Sequence, residues 1–219
     1  MIYSDIKNHC LTKGAGETLS GLSGFQNHFK HFVLTDDPLR AKMLVAHHLE
    51  NAVPVREQGN LLIYLGSYKG TPMTVISSDS NNGEGLLALT GLRSFDAVKV
   101  IYIGECITSL SQHALRSVIL ARDGDHSLLA RAQAAASQYS IPFAIAPVFT
   151  FDFVPDRDSG ISGINTTALY ACARVHGFAA LSILTVSENT ATGESMEEHE
   201  RRSRLYAAAR LAFETFATK

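Results

Sequence analysis

The run Thr35-Asp36-Asp37-Pro38-Leu39-Arg40-Ala41-Lys42 joins a short apolar stretch, 31–34, to a segment of helical composition, and it reads as the junction of a β-strand with an α-helix. Asp37 suits the cap position, where a carboxylate accepts from backbone N–H groups that lack a partner in the first turn. Pro38 suits the first helical position, because its missing N–H costs nothing there. Arg40 follows within the first turn, so the positive end of the helix and a guanidinium lie together and can attract an anion such as phosphate. A helix-surface ion pair is the other reading of Arg40.

Outward from this junction the chain alternates strands and helices. A strand is predicted over 32–34 and a helix over 38–49, followed by strands over 61–66 and 73–77 that form a hairpin about Tyr68-Lys69-Gly70. A helix over 83–95 leads into an apolar run, 98–104, typical of a buried parallel strand. Strands over 117–121 and 143–148 flank a helix over 126–139, for which Asp123-Gly124-Asp125-His126 supplies a turn and a cap. Asn165 can cap a helix that runs to His176, and 179–187 is another buried strand. The last helix starts near Met196 and shows an apolar face at Leu205, Ala208, Ala209, Ala212, Phe213 and Phe216. The alternation places ligands beyond the carboxyl ends of the strands, at Asp36 and Asp37, 78–83, 102–106, 149–151, and Glu188 with Asn189.

A chain of 219 residues suits one domain with a substantial core, here 31–219 behind a polar, Gly-rich arm over 1–30. The formal charge of -2 and pI of about 6.5 give no electrostatic reason to expect nucleic acid or a membrane surface as partner. No apolar run approaches the length that crosses a bilayer, and no secretory leader is visible, so a soluble protein is expected. Cys10, Cys106 and Cys172 are an odd set without metal-ligand spacing, which points to a reduced, cytoplasmic setting and to no metal. His47-His48 within one helix cannot aim both rings at one ligand, and His176 ends another helix; both read as structural.

Several segments together resemble the hexameric purine nucleoside phosphorylases and the related uridine phosphorylases over 31–216. They are Asp37-Pro38-Leu39-Arg40-Ala41-Lys42, Gly66-Ser67-Tyr68-Lys69-Gly70, Ile103-Gly104-Glu105-Cys106, Ala168-Leu169-Tyr170, Leu184-Thr185-Val186-Ser187-Glu188 and Thr192-Gly193-Glu194. The resemblance implies an α/β fold, a three-layer α/β/α single domain around a central mixed, mostly parallel β-sheet. It implies a nucleoside or base as the small-molecule partner, phosphate as co-substrate with no other cofactor, and a homo-oligomer, dimer or hexamer.

In that family phosphate attacks C1′ of the sugar while the base leaves. The resemblance makes Arg40 the phosphate arginine and Glu188, after Ser187, the acid that serves the departing base. Its carboxyl sits one methylene further out than the family's aspartate, and a solvated acid at a strand end is the alternative. Phe149 matches a ring that stacks on the base, with core packing as the equal alternative. Ile164 and Asn165 stand where the family has methionine and the glutamate that binds sugar hydroxyls, and Asn165 can equally be a plain helix cap.

The phosphate site departs further from the pattern. Asp36 replaces a glycine of the phosphate loop, Tyr102 a second phosphate arginine, and Glu105 a serine. One cation is lost and two carboxylates are gained. A like-charge contact near 4 Å costs on the order of 4 kcal/mol at an effective dielectric of about 20. The family's third arginine falls near Gln58-Gly59, with Arg56 three positions away. The residues therefore leave three functions open: a phosphorylase with an atypical phosphate site, a nucleoside hydrolase using water with Glu105 as general base, and a non-catalytic relative that binds a ligand or partner.

Overall fold

A computed structural model describes residues 30–77, 99–149, 160–163, 165–203 and 205–218. The arm expected over 1–30, apart from Lys30, the helix over 83–95, the loop over 152–163 for the most part, and Ile164 lie outside the described residues, as do the side chains of Arg56 and Gln58.

The junction at 35–42 forms as its residues dictate. Strand β1 (His31–Thr35) runs into helix α1 (Pro38–His48), and one Asp37 oxygen accepts from the N–H of Leu39 at 2.7 Å and of Arg40 at 3.2 Å. Beyond α1 come β2 (Glu50–Gln58), β3 (Leu61–Tyr68) and β4 (Thr71–Ser77). The turn between β3 and β4 has positive φ at both central residues, Lys69 at 49° and Gly70 at 74°, the backbone that a tight hairpin requires. For Lys69 that conformation is unusual, and its ammonium is tied at 2.5 Å to Glu214, which is buried and also accepts from the Tyr68 hydroxyl at 2.7 Å.

β5 (Lys99–Thr108) is followed by β6 (Val118–Ala121), helix α2 (His126–Gln138), β7 (Phe143–Ala146), β8 (Ile161–Gly163), helix α3 (Thr166–His176), β9 (Ala179–Asn189), β10 (Glu194–Ser195) and the helices α4 (Glu198–Ser203) and α5 (Tyr206–Ala217). One mixed sheet has the order β2-β3-β4-β1-β5-β9-β6-β7, with β10 on β9 and β8 on β5. The centre, β4-β1-β5-β9, is parallel; β3 and β6 meet it antiparallel.

Both faces of these central strands are covered, which is why they read as unbroken apolar runs. Phe32, Tyr102 and Leu184 face one cluster, closed by Leu169 and Cys172 of α3. Val33, Ile101, Ile103 and Ile183 face the other, closed by Ala41 and Leu44 of α1, Leu128 and Ala132 of α2, and Ala212 and Phe213 of α5. The result is the three-layer arrangement, and each such Leu, Ile or Phe contributes about 1.5–3 kcal/mol on full burial. Asp125 caps α2 through a 3.0 Å bond from Leu128 N–H, as its sequence reads.

The structure differs from the sequence reading in several places. β2 is a strand although ENAVPVREQ shows no alternation; it is a polar outer edge carrying Pro54, where burial imposes no pattern. β5 runs four residues past Gly104. The last helix is two, because the chain breaks between α4 and α5. Asn165 precedes α3 in the left-handed region, φ 67°, and its side chain makes no capping hydrogen bond.

Candidate active site

The carboxyl ends of β1, β5 and β9 bring Asp36, Glu105 and Glu188 to one end of the sheet, since Thr35 pairs with Ile103, and Ile107 with Glu188. α1 delivers Arg40 to the same place. Its guanidinium, on a residue only 4% exposed, donates to Asp36 at 2.6 Å, to Thr35 Oγ1 at 3.4 Å, to Glu105, and to the backbone carbonyl of Arg201 at 3.0 Å. Burial alone would lower the pKa of Arg40, but Asp36 and then Glu105 hold it above the ordinary arginine value. The arginine expected to receive phosphate thus has two carboxylates of its own chain as counter-ions. Asp37 meanwhile occupies two of the amides at the start of α1 that could cradle an anion.

Tyr102 is fully buried and aims its hydroxyl at Asp36, donating at 3.0 Å to the oxygen that Arg40 does not use. The ring reaches Asp36 by lying along its own strand over Gly104, where a Cβ would come within 2.4 Å of the hydroxyl. Burial, then the charge of Asp36, push the phenol well above its ordinary pKa, so it stays a donor. Gly104→Ala is accordingly expected to displace Tyr102 and cost about 1–3 kcal/mol of stability by overpacking; urea unfolding measures it, and an unchanged midpoint would show that the strand yields without cost.

Glu105 faces the second guanidinium as well. Arg201, from α4, lies 4.0 Å from Glu105 and 3.7 Å from Glu188, and is itself fixed by Ser195 at 2.7 Å and by the Met196 carbonyl at 3.1 Å. α4 is anchored separately, for Glu200 is buried and accepts two bonds from Arg116 at 2.9 and 2.8 Å. Burial raises the Glu105 pKa, Arg40 opposes this, Asp36 adds to it, and the net direction is upward from 4.5. Three carboxylates, Asp36, Glu105 and Glu188, share the two cations Arg40 and Arg201. Sequence reasoning missed Arg201, because Glu197-Glu198-His199-Glu200-Arg201 reads as a solvated charged face with no spacing that marks a site.

The other expected residues are less closely gathered. Phe149 is 47% exposed and pairs through its backbone with Ile161 and Gly163, beside β8, which pairs with Cys106–Thr108 at the carboxyl end of β5. Asp37 is spent on its cap, and the Asn189 amide holds the carbonyls of Leu110 and His113 at 3.1 and 2.8 Å. His48 stacks on Phe213 and His47 stands edge-on to Tyr206, in keeping with structural roles. Among the described residues a cleft of about 440 Å³ opens on the outer side of Asp36, toward Lys42 and Asn60; Tyr102, Glu105 and Glu188 do not line it.

No family model matches the chain. Among curated proteins it is 30% identical to a DeoD-type purine nucleoside phosphorylase of Bacillus velezensis, over 84% of this chain and 92% of that protein. It is 31% identical to the one from Bacillus subtilis, over 78% and 87%. Among solved structures it superposes on the purine nucleoside phosphorylase of Toxoplasma gondii with a TM-score of 0.76 at 12% identity, covering 88% of this chain and 92% of that one. A uridine phosphorylase from Vibrio fischeri gives 0.72 at 18%, covering 86% and 91%.

Proposed function

The chain belongs to the DeoD-type purine nucleoside phosphorylase family, and from that premise we propose that it cleaves the N-glycosidic bond of a purine or pyrimidine nucleoside with water, not phosphate, as the nucleophile. The observation that carries this reading is the pairing of Arg40 with Asp36 and Glu105. An entering phosphate dianion would have to displace two carboxylates already bonded to that guanidinium, and would meet their charge at close range.

Each residue then has a task. Asp36, held by Tyr102, neutralises Arg40. Glu105, at the end of β5 and with its pKa raised chiefly by burial, is suited to take a proton from water as the water oxygen bonds to C1′. The C1′–N bond breaks and its electron pair leaves with the base; Glu188, entering the step in its acid form, gives its proton to the departing nitrogen, and the proton that Glu105 took from water restores Glu188 after release, with Arg201 lying between the two side chains. Phe149 and Ile164 are assigned to the base and sugar by the resemblance alone.

Among the described residues no helix is long and apolar enough to cross a membrane. Family membership supports a homo-oligomer, a dimer or a hexamer. The buried free thiols of Cys106 and Cys172 fit a reducing, cytoplasmic setting.

The test is base release from inosine, guanosine and uridine, with and without inorganic phosphate. Turnover that is the same in both is the expected result. Acceleration by phosphate would return the chain to phosphorolysis, and no turnover with any nucleoside would make it a binding relative.

A further inference from the structure

Helix α4 is six residues long, too short to hold its place unaided, so the ties around it decide where Arg201 lies. Before the helix, the Met196 N–H donates to the Ser187 carbonyl at 2.8 Å, and Ser195 pairs with Glu188 across β10 and β9. Within it, Nη2 of Arg116 donates to both oxygens of Glu200 at 2.9 and 2.8 Å. Arg116 lies between β5 and β6 at φ 68°, a left-handed backbone that residues other than glycine seldom adopt and that persists only where its surroundings impose it. Here β9 imposes it. The Arg116 N–H donates to the Val186 carbonyl at 2.9 Å, and the Val186 N–H donates to the Ser117 carbonyl at 3.0 Å. The backbone of Arg116 is thus fixed two residues before Glu188, while its side chain holds the residue just before Arg201. One arginine bridges the strand that carries one acid of the site and the helix that carries the cation.

We propose that Arg116 is a positioning residue for the reaction, holding α4 through Glu200 so that Arg201 stays between Glu105 and Glu188. The proposal rests on the nucleoside-cleaving reading above and goes beyond it by adding a residue that acts through a neighbour. A wholly exposed ion pair would hold little. Arg116 is half exposed, but Glu200 is buried, so its carboxylate has little water to turn to when the guanidinium is lost. Arg201 stands 4.0 Å from Glu105 and 3.7 Å from Glu188, a range in which a small movement of the helix changes both interactions. Once Arg201 moves away, Glu105 keeps Arg40 as its cation and Asp36 as a like charge, and it takes up a proton at higher pH. Burial raises the Glu105 pKa, and Arg201 is one of the two cations, after Arg40, that oppose this. The Glu188 anion left after proton donation loses its counter-ion by the same movement.

Arg116→Gln and Glu200→Met in the full chain test this. The kcat, KM and pH profile of base release from inosine and uridine are measured, and the Glu105 carboxyl titration is followed by 13C NMR, its signal identified by its loss in Glu105→Gln. Both variants are expected to lose roughly 10–100-fold in kcat, the cost of a small misplacement, with KM changed by less than about threefold. The Glu105 midpoint and the acid limb of kcat/KM are both expected to rise, by about one pH unit. The pair of variants separates position from charge. Removal of the Arg116 cation would by itself raise the midpoint, and removal of the Glu200 anion would by itself lower it, so a rise in both reports the movement of Arg201. A merely structural pair would lower the melting temperature and leave kcat and the Glu105 titration unmoved; that result, or opposite shifts in the two variants, overturns the proposal. If no nucleoside turns over, the NMR titration decides alone. A rise in both variants then sustains the placement of Arg201 while the catalytic reading fails, and no rise or opposite shifts overturn the placement as well.

Discussion

Arg40→Met is expected to lower the free energy of unfolding by about 3–5 kcal/mol, the cost of breaking a buried charge pair by removing one partner. An exposed ion pair would cost at most about 1 kcal/mol. The larger figure applies because Arg40 is 4% exposed and its loss strands Asp36, Glu105 and the carbonyl of Arg201. Methionine keeps much of the side-chain volume, so the change reports on charge rather than on a cavity. Urea titration at neutral pH measures it. A loss below 1 kcal/mol would mean that the carboxylates find water when the arginine is gone, and that the cluster is far more open than its burial implies.

Glu105→Gln is expected to lower base release by about 10²–10⁴-fold, the usual contribution of a positioned general base, without lowering the melting temperature. The two halves of this expectation have one cause. The folded-state pKa of Glu105 is raised above its ordinary 4.5, chiefly by burial. A carboxyl whose pKa is higher folded than unfolded holds its proton longer in the fold. Its contribution to stability is therefore greatest below about 4.5 and is lost as pH rises through the folded value, opposite in sign to a carboxylate whose pKa is depressed. At neutral pH the ionised Glu105 costs stability, and the neutral amide removes that cost. In the wild type, kcat/KM should fall as pH drops, with a midpoint above the ordinary carboxylate value. Glu105→Gln should erase that limb. A variant that keeps both the rate and the acid limb would clear Glu105 of the role.

Much of this architecture is legible in local residues. The cap of α1 needs only Asp37 and Pro38, the hairpin only Lys69-Gly70 between two apolar runs, and the buried centre of the sheet only the uninterrupted apolar stretches of β5 and β9. Each is decided by backbone chemistry or hydrophobicity within a few neighbours. β2 and β8 were not legible, because one is a solvated edge without periodicity and the other only three residues long. Asn165 misled for a related reason. Asparagine is a good cap in isolation, and only the fold sets the left-handed backbone, φ 67°, from which its side chain makes no capping bond.

The site divides along the same line. The family resemblance singled out Arg40, Asp36, Tyr102, Glu105 and Glu188 one by one, and the chemistry of each type showed that a phosphate would be poorly received. That the two added carboxylates lie on Arg40 itself, that Tyr102 passes over Gly104 to hold one of them, and that Arg201 joins Glu105 to Glu188 are products of the sheet order and of the docking of α4. Residues 65 and 161 positions from Arg40 reach it only after folding. The amino-acid sequence by itself determined the fold, because apolar spacing and capping act locally and repeat along the chain. Which charges neutralise which was decided by tertiary structure, because Coulomb energy depends on distance and burial, and neither exists until the strands are side by side.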